Sequence, residues 1–210
     1  MDLITTIVIC SMYHNNNIVN AIIQNGTGSE QNPLAIGIVK QVGQPGKIKT
    51  DFKSSQEASD YAKAALAQGE HLEIGKMQIP SGWQSKLSQY GLTLDDLLFP
   101  CKNIAVASDL LNQAEAYCAT ITSAGTERDL CTLSFYKTGD PKAGLSYAQK
   151  ILDYATAYPL TAVTPGAMSP HTPPNPAVDY NSVLAESGLV LPQPVFKKDD
   201  SEANNGKSSS

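Results

Sequence analysis

The side chains in this chain that could do chemistry are few and scattered. Four cysteines stand at Cys10, Cys101, Cys118 and Cys131, three histidines at His14, His71 and His171, and two glutamates lie in glycine-punctuated text. Glu30 comes two residues after Gly28, and Glu73 comes two residues before Gly75. The cysteines have neither CxxC nor Cys/His spacing, so disulfides in an oxidising compartment are the first reading, ahead of a zinc site or four buried thiols. The sequence has no phosphate loop and no dinucleotide fingerprint, and its histidines make no metal pattern. No nucleophile elbow supports a Ser/His/Asp triad, so each histidine reads as structural or solvated.

Composition narrows the partners. The chain has 210 residues and a formal charge of −5, enough length for one domain with a sizeable core. The acidic balance, without any Lys/Arg-rich block, argues against nucleic acid or an anionic membrane surface as the main partner. Binding should rest instead on groove shape and hydrogen bonds. The opening Met1–Cys10 is apolar but lacks a basic n-region and a small-residue cleavage site, and it is too short to span a bilayer. It reads as the first core helix of a domain, with no direct membrane insertion.

The elements that would position the glutamates follow from periodicity and caps. Ile4, Ile7, Val8 and Met12 form a short helical stripe, and Asn15-Asn16-Asn17 caps a second helix carrying Ile18, Val19, Ile22 and Ile23. Asn25-Gly26 and Gly28 favour an early stop for that helix. Ile38, Val39 and Val42, punctuated by Gly43, Pro45 and Gly46, suggest a small β excursion between Gly37 and Asp51. Ser54 or Ser55 can cap a helix with Ala58, Tyr61, Ala62, Ala65 and Leu66 on one face, ended by Gly69. Helical text follows from Thr93, from Asn103 to Ala119, and from Gly144 to Ala157. The architecture is expected to be mainly α, of α+β type. After about Pro159 the text turns to Pro, Ser, Thr, Asn and Ala, a composition that cannot bury enough apolar area to offset ordering entropy. The expected division is a domain over 1–158 and a flexible, disordered tail over 159–210, with Leu189-Val190-Leu191 as a short docking segment within it.

Four stretches, in order, carry a resemblance. Gly28-Ser29-Glu30-Gln31-Asn32-Pro33-Leu34-Ala35-Ile36-Gly37 is followed by Gly75-Lys76-Met77-Gln78-Ile79. Next come Gly91-Leu92-Thr93 with Pro100-Cys101-Lys102-Asn103-Ile104, and finally Leu133-Ser134-Phe135-Tyr136-Lys137-Thr138-Gly139. Together they resemble the lytic transglycosylases that accompany type IV secretion systems, over roughly the first two thirds of the chain. That family usually reads Glu-Ser-x-x-Asn-Pro-x-Ala-Ile-Gly at the first stretch, so Gly28 stands where its catalytic glutamate is expected. Other departures are Pro80 and Lys137, each at a usual Asn, and Phe99 at a usual Asp.

The resemblance implies a lysozyme-like fold, as in goose-type lysozyme and the soluble lytic transglycosylases, with a groove between lobes. It implies local opening of the cell wall for assembly of a type IV secretion or conjugation machine, with a non-catalytic peptidoglycan-binding or scaffold role in that machine as the alternative. Peptidoglycan glycan strands and type IV secretion components are the implied partners, with no cofactor and no metal, and the implied location is periplasmic, although no export signal is visible in this chain. In such enzymes one glutamate with a raised pKa protonates the leaving oxygen and then assists attack by the sugar's own 6-hydroxyl. Glycosidases more generally use two carboxyl groups. Three readings of Gly28 stay open: a protein that binds glycan without cutting it, Glu30 supplying the acid from a remodelled loop, or Glu73 or another carboxylate acting from across the groove. Against the second, two residues along a helix turn the side chain by about 200°. Against the third, Glu73 reads first as a solvated surface residue. The resemblance further implies that Met77 and Gln78 line the groove, that Tyr136 hydrogen-bonds near the acid position, that Thr138 and Gly139 begin the turn behind it, and that Ser29 supports the site. Lys137 is expected to face solvent. The cysteines allow three connectivities. Because Cys118 and Cys131 flank an expected helix–helix connection, Cys118–Cys131 with Cys10–Cys101 is favoured.

Overall fold

A polar cap opens the helical body of the protein. In the computed structural model, which describes residues 3–27, 34–39 and 47–160, the Asn15 side chain accepts the backbone N–H groups of Asn17 and Ile18 at 3.2 and 3.3 Å. Those are two of the donors that a helix start leaves without an internal partner. Helix α2 (Asn16–Gly26) follows, preceded by α1 (Leu3–Cys10). Ile18, Val19, Ile22 and Ile23 are all buried, as their spacing on one helical face requires. The N–H of Thr27 closes α2 on the carbonyl of Ile23, so the helix ends with its Asn25-Gly26 text.

The small β excursion is a four-stranded antiparallel sheet with strand order β2-β1-β3-β4. Its strands are β1 (Ile36–Val39), β2 (Lys47–Lys49), β3 (His71–Ile74) and β4 (Ile79–Pro80). The β1–β3 register sets Ile36 opposite Ile74 and Gly37 opposite Glu73. Between β2 and β3 lies α3 (Ser55–Ala67), capped by the Ser54 hydroxyl on the N–H of Glu57. Gly69 follows α3 at φ +80°, a backbone conformation that favours glycine. The strands β3 and β4 were not foreseen. Each is too short for a period-2 signal, and their text is shared with the Gly75–Gln78 motif.

The remaining helices are a short α4 (Gln84–Leu87), the long α5 (Pro100–Cys118), α6 (Thr126–Thr138) and α7 (Leu145–Ala157). Thr93 and Asp96 form a reciprocal capping box on the 3-10 turn before α5. Helices α5 and α6 pack on each other, as do α6 and α7, while α2 packs on α7. One buried cluster runs from Ile7 of α1 to Ala155 of α7, taking in Ile74, Met77 and Ile79 of the sheet region. The last described residues are held to the body, the N–H of Leu160 donating to Asn17 Oδ1 at 2.9 Å. The expected tail beyond 160 lies outside the described residues, and among those described no helix is long and apolar enough to cross a membrane.

All four cysteines are in disulfides. Cys10–Cys101 ties α1 to the start of α5, and Cys118–Cys131 ties the end of α5 to α6. The pairs close loops of very different length, with sequence separations of 91 and 13. If chain entropy dominates, the longer loop stabilises by about 4.6 kcal/mol and the shorter by about 3 kcal/mol. Cys10→Ser/Cys101→Ser should therefore lower the urea midpoint more than Cys118→Ser/Cys131→Ser. The opposite order would show that local geometry, not loop closure, sets the contribution.

Candidate functional site

The turn between β3 and β4 is built around one glycine and one asparagine. Gly75 sits at φ +73°, and a Cβ there would come within 2.3 Å of Asn103 Nδ2 and 2.4 Å of the Leu97 carbonyl. No other residue fits. Asn103, wholly buried in α5, donates through Nδ2 to the carbonyls of Ile74 and Leu97, both at 2.9 Å. Its Oδ1 accepts the Met77 N–H at 2.7 Å. The Tyr136 hydroxyl donates to the Met77 carbonyl at 2.8 Å, so α5 and α6 both hold the turn by its backbone.

This clamp fixes Gln78. Its φ of +50° is the one positive value among the described non-glycine residues, a conformation that costs energy and persists where neighbours over-determine it. The Gln78 amide donates through Nε2 to the Gly75 carbonyl at 2.7 Å, which fixes which way the amide points. Its Oε1 is buried and has no hydrogen-bond partner. A Cβ on Gly26, at the end of α2, would fall 2.6 Å from Gln78 Cγ, and one on Gly37 would fall 3.1 Å from Oε1. Both glycines leave room for the amide.

Next to Gln78, Glu73 of β3 meets Lys137 of α6 in an ion pair, Nζ donating to Oε1. Each residue is only 6% exposed, so water contributes little to solvating the charges. Lys137 also lies 4.8 Å from the centroid of the Tyr147 ring. Burial pushes the Tyr147 phenol above its ordinary range, and the Glu73 charge adds to this. Burial likewise raises Tyr136, with smaller contributions from Tyr147 and Glu73. Both phenols stay neutral beside the Glu73–Lys137 ion pair.

The pair lies where two clefts meet. The larger, about 420 Å³, is lined by His71, Pro80, Trp83, Lys86, Phe135 and Thr138 among others, and the smaller, about 190 Å³, by Ile22, Gly26, Gln78, Ser146, Tyr147 and Lys150 among others. Glu73 and Lys137 line both. Trp83 is anchored by its indole N–H on the Tyr136 carbonyl at 3.2 Å, and the Lys86 ammonium lies 4.6 Å from its ring centroid.

The expected site residues divide into three groups. Gly28, Ser29 and Glu30 lie outside the described residues. Gln78 lines the smaller cleft and Thr138 the larger, the Thr138 hydroxyl donating to the Ser134 carbonyl at 2.8 Å. Met77 and Tyr136 are fully buried and line neither cleft. They shape the site from behind, through the backbone of the turn. Lys137 does not face solvent, and Glu73 is not a solvated surface residue; each is buried against the other. Two cleft residues, Trp83 and Lys86, were not anticipated. An isolated aromatic and a lysine three residues on are common in any helical text, so neither residue type gave a signal.

The arrangement offers a groove with an aromatic wall, a free amide oxygen and an ion pair in its floor. Among the described residues no cluster of His, Cys, Asp or Glu could hold a metal ion. No family model, curated protein or solved structure matches this chain.

Two stability experiments check this geometry. Asn103→Ala would leave a buried N–H and two carbonyls without their partner, and should destabilise by about 3 kcal/mol or more. A loss below about 1 kcal/mol, by urea unfolding, would show that the turn holds without the clamp. Lys137→Met should cost about 3–5 kcal/mol by stranding the Glu73 carboxylate, whereas Glu73→Leu/Lys137→Met should recover most of that loss. Simple additivity of the two single changes would mean that the charges are not coupled.

Proposed function

We propose that this chain is a lysozyme-like protein of the lytic transglycosylase kind that binds peptidoglycan glycan strands without cleaving them. On this reading it serves in the periplasm beside a type IV secretion or conjugation machine, as a wall-binding or scaffold component of that machine. The observation that carries the non-cleaving part is the Glu73–Lys137 pair. Glu73 is the sole carboxylate among the described residues lining either cleft, and an ammonium engages it. Proton donation to a glycosidic oxygen needs a carboxylic acid within hydrogen-bond reach of that oxygen. Glycine at position 28 has no proton to give.

The glycan part has separate support. The four motif stretches occur in the family's order, and two of them meet at the groove: Gly75–Gln78 forms its floor turn, and Tyr136–Gly139 closes the helix behind it. A helix end, a small antiparallel sheet and a helical lobe surround the cleft, which is the layout expected of a lysozyme-like groove. Two disulfides agree with folding in an oxidising compartment outside the cytoplasm.

The test is digestion of purified peptidoglycan by this chain and by Gly28→Glu, with mass spectrometry for 1,6-anhydro-muropeptides and co-sedimentation for binding. The chain should sediment with peptidoglycan and release no anhydro products, and Gly28→Glu should release them. Release by the unaltered chain, lost in Glu30→Gln, would instead make this an active enzyme whose acid is Glu30.

A further inference from the structure

We propose that the groove selects an acidic glycan, with Lys86 and Lys150 reading carboxylates on either side of the Glu73–Lys137 pair. This rests on the glycan-binding reading above and adds the charge class of the ligand and the residues that recognise it. The chain as a whole carries more acid than base, 20 Asp and Glu against 15 Lys and Arg. At the clefts the balance inverts. Among the described lining residues are three lysines, Lys86, Lys137 and Lys150, and one carboxylate, Glu73. Glu73 and Lys137 neutralise each other, which leaves one uncompensated ammonium on each cleft: Lys86 on the larger and Lys150 on the smaller.

Neither lysine has a carboxylate within ion-pair distance among the described residues, whereas Lys49, Lys63 and Lys102, away from the clefts, each pair with an aspartate. Some other surface lysines are unpaired too. What sets Lys86 and Lys150 apart is that they line the clefts, Lys86 half-buried and Lys150 exposed, since a cleft with low-dielectric walls concentrates the field of a charge on its lining. Lys86 is also partly ordered in advance, its ammonium held over the Trp83 ring. Ser146, beside Lys150 on the smaller cleft, adds a hydroxyl donor for the same anion.

The floor asks for the opposite chemistry. Gln78 Oε1 is a buried acceptor without a partner, and such a group is costly unless a donor reaches it. A ligand that suits the whole groove therefore has O–H or N–H donors along its middle and carboxylates towards its edges. An acidic sugar strand has that pattern. A neutral polysaccharide lacks the carboxylates, and an acid with a single carboxylate can pair with only one of the two cations.

The experiment is calorimetric titration of the full chain with two ligands: peptide-free peptidoglycan strands, which keep one lactyl carboxylate per disaccharide, and the same strands with those carboxylates capped as methylamides. The uncapped strands should bind about tenfold more tightly, and the difference should vanish in Lys86→Gln/Lys150→Gln and at about 0.5 M salt. Lys86→Arg/Lys150→Arg, which keeps both charges, should retain the preference, and all variants should stay folded because neither lysine is buried. Equal binding of capped and uncapped strands overturns this inference and leaves the glycan reading intact. Binding of neither strand overturns the glycan reading, and this inference with it.

Discussion

The site depends on the hydrogen bonds of Asn103. One side chain, fully enclosed at the start of α5, donates to the Ile74 carbonyl at the β3–β4 turn and to the Leu97 carbonyl of the 3-10 turn before α5, and accepts the Met77 N–H. Backbone polar groups buried without partners are expensive, so a tight turn driven into a core exists only where something answers them. A water molecule could answer some of them. A side chain also fixes position, and Asn103 is fixed in turn by a helix that Cys101 ties to α1 two residues earlier. The strain at Gln78 and the left-handed Gly75 are then consequences, held by a frame stiffer than they are.

The Glu73–Lys137 pair is a different kind of link. It joins the sheet to α6 across the base of the groove, but a buried ion pair is weak evidence of stabilisation. Desolvating two charges costs about what their attraction returns, and apolar residues of similar size often do as well. Its physical effect is better described as specification. With Lys137 on the last turn of α6, where the helix dipole already favours a cation, the carboxylate of β3 has one partner and one place. The pair thereby joins β3 to α6 in the lining of both clefts.

Much of the fold was legible because it is written in local signals. The Asn15 and Ser54 caps, the Thr93 start, and the buried faces of α2 and α3 follow from residue type and helical spacing, and each is where those signals put it. The site was legible only in part. Gly75, Gln78 and Asn103 belong to recognisable motifs, but motif membership did not distinguish a residue that lines the cleft from one that builds its wall. Met77 and Tyr136 look alike on paper to groove residues, yet their side chains lie in the core. What separates them from Gln78 is the positive φ of the turn, which swings the amide towards α2, and no sequence pattern announces a left-handed glutamine. The pairing of Glu73 with Lys137 stayed hidden for a second reason: they are 64 residues apart, and a charge pair at that distance is made by the packing of β3 on α6.

Glycine at 26 illustrates how one residue can satisfy two demands that a sequence reading separates. Next to Asn25 it looks like a helix stop, and α2 does end there. The structure gives the position a further constraint, because any side chain would begin 2.6 Å from Gln78 Cγ, closer than carbon atoms approach without displacement. Gly37, across the sheet from Glu73, meets the same amide from the other side. The Gln78 side chain thus occupies a slot whose two walls are bare backbone, and its nitrogen is bonded to a third backbone group, the Gly75 carbonyl. A side chain on either wall would collide with Gln78, at Cγ from position 26 and at Oε1 from position 37. Two glycines leave the amide its place, so the groove floor is set as much by what is missing at 26 and 37 as by what is present at 78.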